Sequence, residues 1–540
     1  MTSFSRSQRV TKPAVESRGG VVSAQHGRAA ELGAEVLAAG GDAADAAVAV
    51  SFMLGVLEPW MSGPAGGGAA MLWREAEGRA HALNYGMRAP AGLDPAEYPL
   101  SGAGRASDLF PWEAVEGDRN AQGATAVAVP GLVDGIGLMH ARFGRMPWAE
   151  LVRPAAAMAR EGLPLDWYAG LMIASAARAL AADPDAAAMF LEDGLWPPLA
   201  GWTALTDRRL SLSSMAETLE RIAEGGPREL YDGDTGAALA ADVAAKGGAL
   251  ARDDLRAYRA EWEDPLTIRH RGGSIWATPR LTAGPTLGDV LARLRERPAP
   301  EGPPGAEDVV AWAEALSAAY ARRLAVMGDE VEAAAAPACT THFSIVDRDG
   351  NMAAVTQTLL SSFGARCVSP STGLLLNNGI MWFDPVPGRP NSLRPGKRCL
   401  MNVCPVLGET PSGARFALGA SGGRKILPAV AQLALRLIEH GESLDAAFHA
   451  PRIDVSGDLA AGATAVADAA WPAAVLDALR ARFPVATAPR APFPYAFACP
   501  AGVLRADGVN AGATEPLSPW GDAAAEPDPA PDAEPTGDPA

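Results

Sequence analysis

The sequence predicts a layered α/β protein with one large core, and two observations carry that expectation. The chain is 540 residues long with 48% of them hydrophobic, and its texture changes once, from helical periodicity to strand alternation, near residue 340. At about 150 residues per domain, that length allows three or four units or a single extended layered one. Such a core holds without disulfides or metal. The five cysteines (Cys339, Cys367, Cys399, Cys404, Cys499) form neither a disulfide framework nor a C-x-x-C pair, so no metal or cofactor is expected. They fit reducing surroundings. Residues 1–20 contain no apolar run of signal-peptide length, and no uncharged apolar stretch reaches the roughly 18 residues of a membrane span. A cytoplasmic protein without membrane contact is therefore expected. The net charge of −17 argues against a nucleic-acid partner, which needs a basic face. The basic residues are 42 Arg and 4 Lys, so any cationic pocket would be an arginine pocket. An enzyme is the leading class.

Taken in order, residues 1–20 are polar and read as a flexible N-terminus. Val21 to Leu57 reads as helical, broken at Gly40-Gly41 and capped afresh at Asp42. The second part is apolar on nearly every side, the mark of a buried helix. The glycine-rich turn Gly63 to Gly68 leads into strand-like runs at Ala69–Trp73 and His81–Tyr85. Pro130 to Arg295 reads as mostly amphipathic helix. Glu296 to Cys339 begins as a Pro/Gly/Glu linker and continues as an exposed helix. Thr340 to Thr358 then alternates apolar and polar residues around Asp349-Gly350-Asn351, a hairpin signal. Strands at Leu374–Leu376 and Arg415–Leu418 precede a helix from about Lys425 to Glu439. Residues 521–540 are almost all Asp, Glu, Pro, Ala and Gly, a composition expected to stay disordered.

Two places carry candidate chemistry. At Cys339-Thr340-Thr341, a cut before Thr340 would give one residue both a hydroxyl nucleophile and a free α-amine. That amine titrates near 7.7–8.0 and can serve as general base. On spacing alone, an ordinary strand start explains the same residues. At Gly419-Ala420-Ser421-Gly422-Gly423, a strand meets a helix. The pattern matches the G-x-S-x-G of serine hydrolases, but His440 and His449 follow too closely to be triad partners from later strands. Backbone N–H groups of Gly422 and Gly423 forming an oxyanion hole suit it better, with a tight packing turn as the alternative. The Gly63 to Gly68 turn opens a strand rather than a helix, so it fails as a dinucleotide fingerprint. Asp183–Asp185 and Asp253-Asp254 lack metal-ligand spacing and read as helix caps.

These residues together resemble the γ-glutamyltransferase (γ-glutamyltranspeptidase) family of N-terminal-nucleophile hydrolases. TTHFSIVDRDGNMAAVTQT, Thr340 to Thr358, looks like the start of that family's small subunit. Upstream, GGDAADAAVAV (Gly40–Val50), AVPGLVDG (Ala128–Gly135), FGRMPWAELVRPA (Phe143–Ala155) and GGALARDDLRAY (Gly247–Tyr258) match. Downstream, so do GLLLNN (Gly373–Asn378), GASGG (Gly419–Gly423) and GATEP (Gly512–Pro516). The resemblance implies an α+β fold, a four-layer αββα sandwich. It also implies a precursor self-cleaved between Cys339 and Thr340 into a large subunit, 21–339, and a small subunit, 340–520. A dimer of such heterodimers is one possible assembly. Thr340 would be the nucleophile, Thr358 would hydrogen-bond it, and Gly422 and Gly423 would hold the oxyanion. The substrate would be a small-molecule amide whose acyl group passes to water or an amine.

The substrate pocket departs from the family. The position of its carboxylate-binding arginine is Gly86, with Arg88 two residues late. The paired serines match Met401 and Asn402. The Gln and Asp that receive the glutamyl amine match Gly379 and Trp382, and the Asn after the second threonine matches Leu360. An ammonium against Trp382 and Met401 would be poorly paired. Arg88, Arg366 and Arg424 are candidates for a relocated carboxylate clamp. The loop from Phe383 to Arg398 looks short for the family's lid. The pattern fits a γ-glutamyltransferase-like machine, or a cephalosporin-acylase-like branch taking a non-glutamyl acyl group. A non-catalytic binding homologue is the third possibility.

Overall fold

The computed structural model describes residues 10–107, 110–199, 207–327 and 339–526. Two seven-stranded antiparallel sheets face each other. One runs, edge to edge, Asp522–Ala525, Val21–Ala24, Cys339–Val346, Met352–Leu360, Gly67–Arg74, Arg79–Tyr85 and Glu261–Glu263. The other runs Val15–Ser17, Val509–Thr514, Cys499–Ala506, Arg415–Ser421, Val406–Glu409, Gly273–Ala277 and Leu266–His270. Between them lies a layer that includes Val21, Met71, Val346, Met352, Leu407, Ala417 and Val503. Helices Ala43–Leu57, Leu132–Phe143 and Trp148–Glu161 cover the outer face of the first sheet. Helices Gly284–Arg295, Ala306–Val326 and Ile426–Ile438 cover the second. This is the expected αββα sandwich. Among the described residues, no helix is long and apolar enough to cross a membrane.

The central pair is set by sequence. Asp347, Gly350 and Asn351 close the hairpin: the Gly350 N–H donates to the Asp347 carbonyl at 3.1 Å, and Asn351 donates back to the Asp347 carboxylate. Gly350 has φ +91, which its lack of a Cβ permits. The helix Ala43–Leu57 is buried along its whole length, as its all-round apolar pattern demands, and Asp42 with Asp45 forms its capping box.

Five expectations need correction. Val21–Ala24 is a strand, not the start of a helix; its β-branched run is buried between two other strands. The stretch before residue 295 contains a hairpin, Leu266–His270 with Gly273–Ala277, turned by Arg271 and Gly272 with φ +49 and +83. Two positive φ values make a turn that suits strand twist, and Arg in the first place hid it. The helix Ala306–Val326 is not exposed, because Val309, Trp312, Leu316 and Tyr320 enter the core. Within residues 1–20, Val15–Ser17 is an edge strand, and the Lys12 ammonium donates to the Ser518 carbonyl at 2.8 Å. Within 521–540, Asp522–Ala525 pairs with Val21–Ala24 and Glu526 is buried. Small alanines fit that edge despite the polar composition. Residues 1–9 and 527–540 lie outside the described residues.

One close approach joins the two sheets. Ring atom Cε1 of His342 would lie 2.2 Å from a Cβ placed on Gly419 of the facing strand, so only glycine fits there. Gly419→Ala should therefore overpack the sandwich and cost about 1–3 kcal/mol. Gly92→Ala, where a Cβ meets nothing, should stay within about 0.5 kcal/mol. Urea midpoints of the two variants check this.

Candidate active site

Thr340 lies in a strand that has neighbours on both sides, so its alternation is fixed. Phe343 and Ile345 turn toward the helices. Thr340, His342 and Ser344 take the other face, toward the second sheet, where His342 meets Gly419. The His342 ring is fully buried, hydrogen-bonded to the Thr356 hydroxyl at 2.8 Å and the Ser344 hydroxyl at 2.9 Å. Burial pulls its pKa down to about 3, so it is neutral and structural.

At Thr340 the pairing slips. Cys339 faces Leu360, but Thr341 faces Gln357, so the second strand carries one extra residue opposite Thr340. Leu360 absorbs the slip at φ +88, a strained backbone for a bulky side chain. The Thr358 hydroxyl accepts the Leu360 N–H at 2.8 Å. Among the described residues, Thr340 Oγ1 is buried without a hydrogen-bond partner, so the expected bond from Thr358 to Thr340 is not seen. A buried hydroxyl left unpaired costs about 1–3 kcal/mol, a cost that the Ser362 and Thr514 hydroxyls also carry. On the opposite face, Thr341 donates to Glu58 at 2.9 Å, and burial raises the Glu58 carboxyl to about 8. Sequence reasoning passed over Glu58, whose only signal was a lone acid after an apolar helix.

The glycine turn reaches the same end of the sandwich by a traceable route. Ala24 pairs with Phe343, Gln25 donates to the Cys499 carbonyl at 3.1 Å, and Cys499 pairs with Ser421. Gly422 and Gly423 follow at once, with φ +129 and +65. A Cβ on Gly422 would stand 2.9 Å from the Ala498 Cα, so glycine is required there. Ser421 itself is buried beside Gln25 and Cys499. His440 bonds the Gly302 carbonyl and His449 the Asp445 carbonyl, so neither serves Ser421 and no serine triad forms.

The pocket positions converge. Leu360, Trp382 and Met401 are fully buried in one apolar cluster with Met87, Ile380 and Phe383. A Cβ on Gly379 would stand 2.7 Å from Ala128 Cβ, and one on Gly86 would stand 2.8 Å from Met401 Cε. Met401 therefore fills the space beside the position where the resemblance placed an arginine. Among the described residues, Trp382 Nε1 and Asn402 Nδ2 are buried donors without partners. Arg88 is turned to Glu261 at 3.1 Å, which it shares with Arg398 at 2.6 Å. Arg366 reaches the Ala121 carbonyl at 3.2 Å. Arg398, hidden in what read as a short lid, was missed. The lid segment folds back, with Asn391 donating to the Trp382 carbonyl at 2.6 Å. Asp183 and Asp254 do cap helices, accepting the Ala186 and Ala251 N–H groups.

Comparison with known proteins agrees with this geometry. The family model for gamma-glutamyltranspeptidase matches residues 29–339 and 331–490. The Acylase ACY 1 proenzyme of Pseudomonas sp. strain SE83 is 36% identical over 507 residues, covering 87% of this chain and 88% of its own. The glutathione hydrolase proenzyme of Escherichia coli K12 is 28% identical, covering 81% of each. Among solved structures, cephalosporin acylase from Bacillus halodurans superposes with a TM-score of 0.83 over 97% of this chain and 99% of its own. At 24% identity that likeness shows the fold alone. The family model and the 36% identical acylase relatives, together with the α+β sandwich, establish that the chain belongs to the gamma-glutamyltranspeptidase family, as an N-terminal-nucleophile amidohydrolase or acyltransferase.

Proposed function

We propose that the chain cuts its own Cys339–Thr340 bond and then cleaves acyl amides whose acyl group lacks the α-amino group of glutamate. The observation that carries this is Thr340 Oγ1, buried and unpaired beside an apolar cluster. In the precursor, Thr340 Oγ attacks the Cys339 carbonyl carbon and the C–N bond breaks. The nitrogen takes the hydroxyl proton and leaves an ester. The shift leaves the Thr340 amine free, and water then hydrolyses the ester, releasing the Cys339 carboxylate and restoring the Thr340 hydroxyl. In turnover, the amine accepts the hydroxyl proton as Oγ attacks the substrate carbonyl, then passes it to the leaving amine. The N–H groups of Gly422 and Gly423 take the oxyanion, and water or an amine releases the acyl group.

The pocket supports an acyl chain with an acceptor at its far end. Gly379 and Trp382 stand where the family places acceptors for an ammonium. The unpaired groups there, Trp382 Nε1 and Asn402 Nδ2, are donors. A terminal carboxylate or carbonyl satisfies donors, and an ammonium does not. The Acylase ACY 1 relatives favour the same branch.

Purified wild type should run on denaturing electrophoresis as two bands near 35 and 21 kDa, the proportional shares of 55.6 kDa. Thr340→Ala should stay as one. A wild-type chain that folds and never divides would support a binding protein instead. With cleaved enzyme, glutaryl and simple acyl anilides should exceed the γ-glutamyl anilide in kcat/KM by roughly 10- to 100-fold, the factor for one unpaired charged group. Preference for the γ-glutamyl compound would refute the pocket assignment.

A further inference from the structure

The helix Ala306–Val326 ends where the two halves of the candidate site meet. Both of its inward groups there are polar. Tyr320 is buried, and its hydroxyl donates to the backbone carbonyl of Arg424, the residue after Gly422-Gly423. Three residues on, Arg323 is buried as well. One terminal nitrogen of Arg323 donates to the Thr282 carbonyl at 2.8 Å and the Thr286 hydroxyl at 2.9 Å. The other donates to the Met401 carbonyl and to Asn402 Oδ1, both at 3.0 Å. Residues three apart share a helix face, so one turn of helix grips both the glycine turn and the Met401–Asn402 segment.

Arg323 is an expensive residue to place there. Burial lowers its pKa to about 10, which still leaves it charged at neutral pH. It has no carboxylate partner among the described residues. A buried cation without a counter-charge is a poor source of stability, and apolar side chains of similar volume commonly do better. Its planar fork instead fixes geometry. A guanidinium cannot accept a hydrogen bond, so the Asn402 atom facing it must be the oxygen. The Asn402 NH2 group is thereby turned the other way, where it is buried and unpaired. A lysine could not hold four acceptors at once.

The geometry points to Tyr320 and Arg323 as positioning residues: Tyr320 sets the oxyanion turn through Arg424, and Arg323 sets the acyl pocket through Met401 and Asn402. This inference rests on the catalytic reading above. Both residues precede residue 339 while both of their targets follow 340. After the cut, this turn of helix is a non-covalent link that keeps the pieces of the site in register.

The test is steady-state kinetics on the cleaved full-length protein with the best acyl anilide. Tyr320→Phe removes one hydroxyl and should lower kcat about tenfold, with KM within twofold of wild type. Arg323→Lys keeps the charge and loses the fork, and should raise KM about tenfold with kcat within threefold. Wild-type kinetics in either variant would overturn the proposal. So would equal changes in kcat and KM in both variants accompanied by equal falls in Tm, the mark of general loosening. Failure of the catalytic reading is distinguishable, because it silences the wild type too.

Discussion

Everything at the candidate site depends on one threonine held at the head of a doubly paired strand. Because the Cys339–Val346 strand bonds to a neighbour on each side, it can neither slide nor rotate, and Thr340 is committed to the gap between the sheets. His342 under Gly419 locks the depth of that gap. The single slip in pairing then falls opposite Thr340, and Leu360 takes a strained backbone to accommodate it. The two sheets supply the rigidity, and the slip interrupts the regular pairing at Thr340 alone in this strand.

The pocket follows from what has replaced polar residues there. A glutamyl site needs a cation for the carboxylate and acceptors for the ammonium. Here Met401 occupies the space at Gly86, while Trp382 and Gly379 stand at the acceptor positions. The nearby arginines are engaged by other groups, with Arg88 and Arg398 sharing Glu261 and Arg398 also donating to the Gly86 carbonyl. Thr340 is positioned by strand pairing and not by these side chains.

Much of this was legible in the sequence because strand alternation and turn chemistry are local. The Asp349-Gly350-Asn351 hairpin, the capping of Ala43–Leu57 and the glycines at 422 and 423 were readable from a few adjacent residues. What escaped depended on contacts distant in sequence. Val21–Ala24 is a strand because two other strands pair with it, and Asp522–Ala525 is ordered because Val21–Ala24 offers it an edge. The hairpin at Arg271-Gly272 lacked the usual Asn or Asp. Tyr320 and Arg323 lie in a helix expected to be exposed, and only the fold shows them reaching residues about 80 to 100 positions away. The strand slip that brings the Leu360 N–H onto the Thr358 hydroxyl was likewise invisible to residue spacing.

The central claim is that Thr340, freed from Cys339, carries the acyl group during turnover. Intact-mass spectrometry of the small subunit, quenched in acid during turnover of an acyl anilide, tests it most directly. The account predicts a fragment beginning at Thr340 and a second species heavier by one acyl group, with the added mass on residue 340 after proteolysis. An acyl adduct on Ser421, or turnover with no adduct and an uncut Cys339–Thr340 bond, would contradict it.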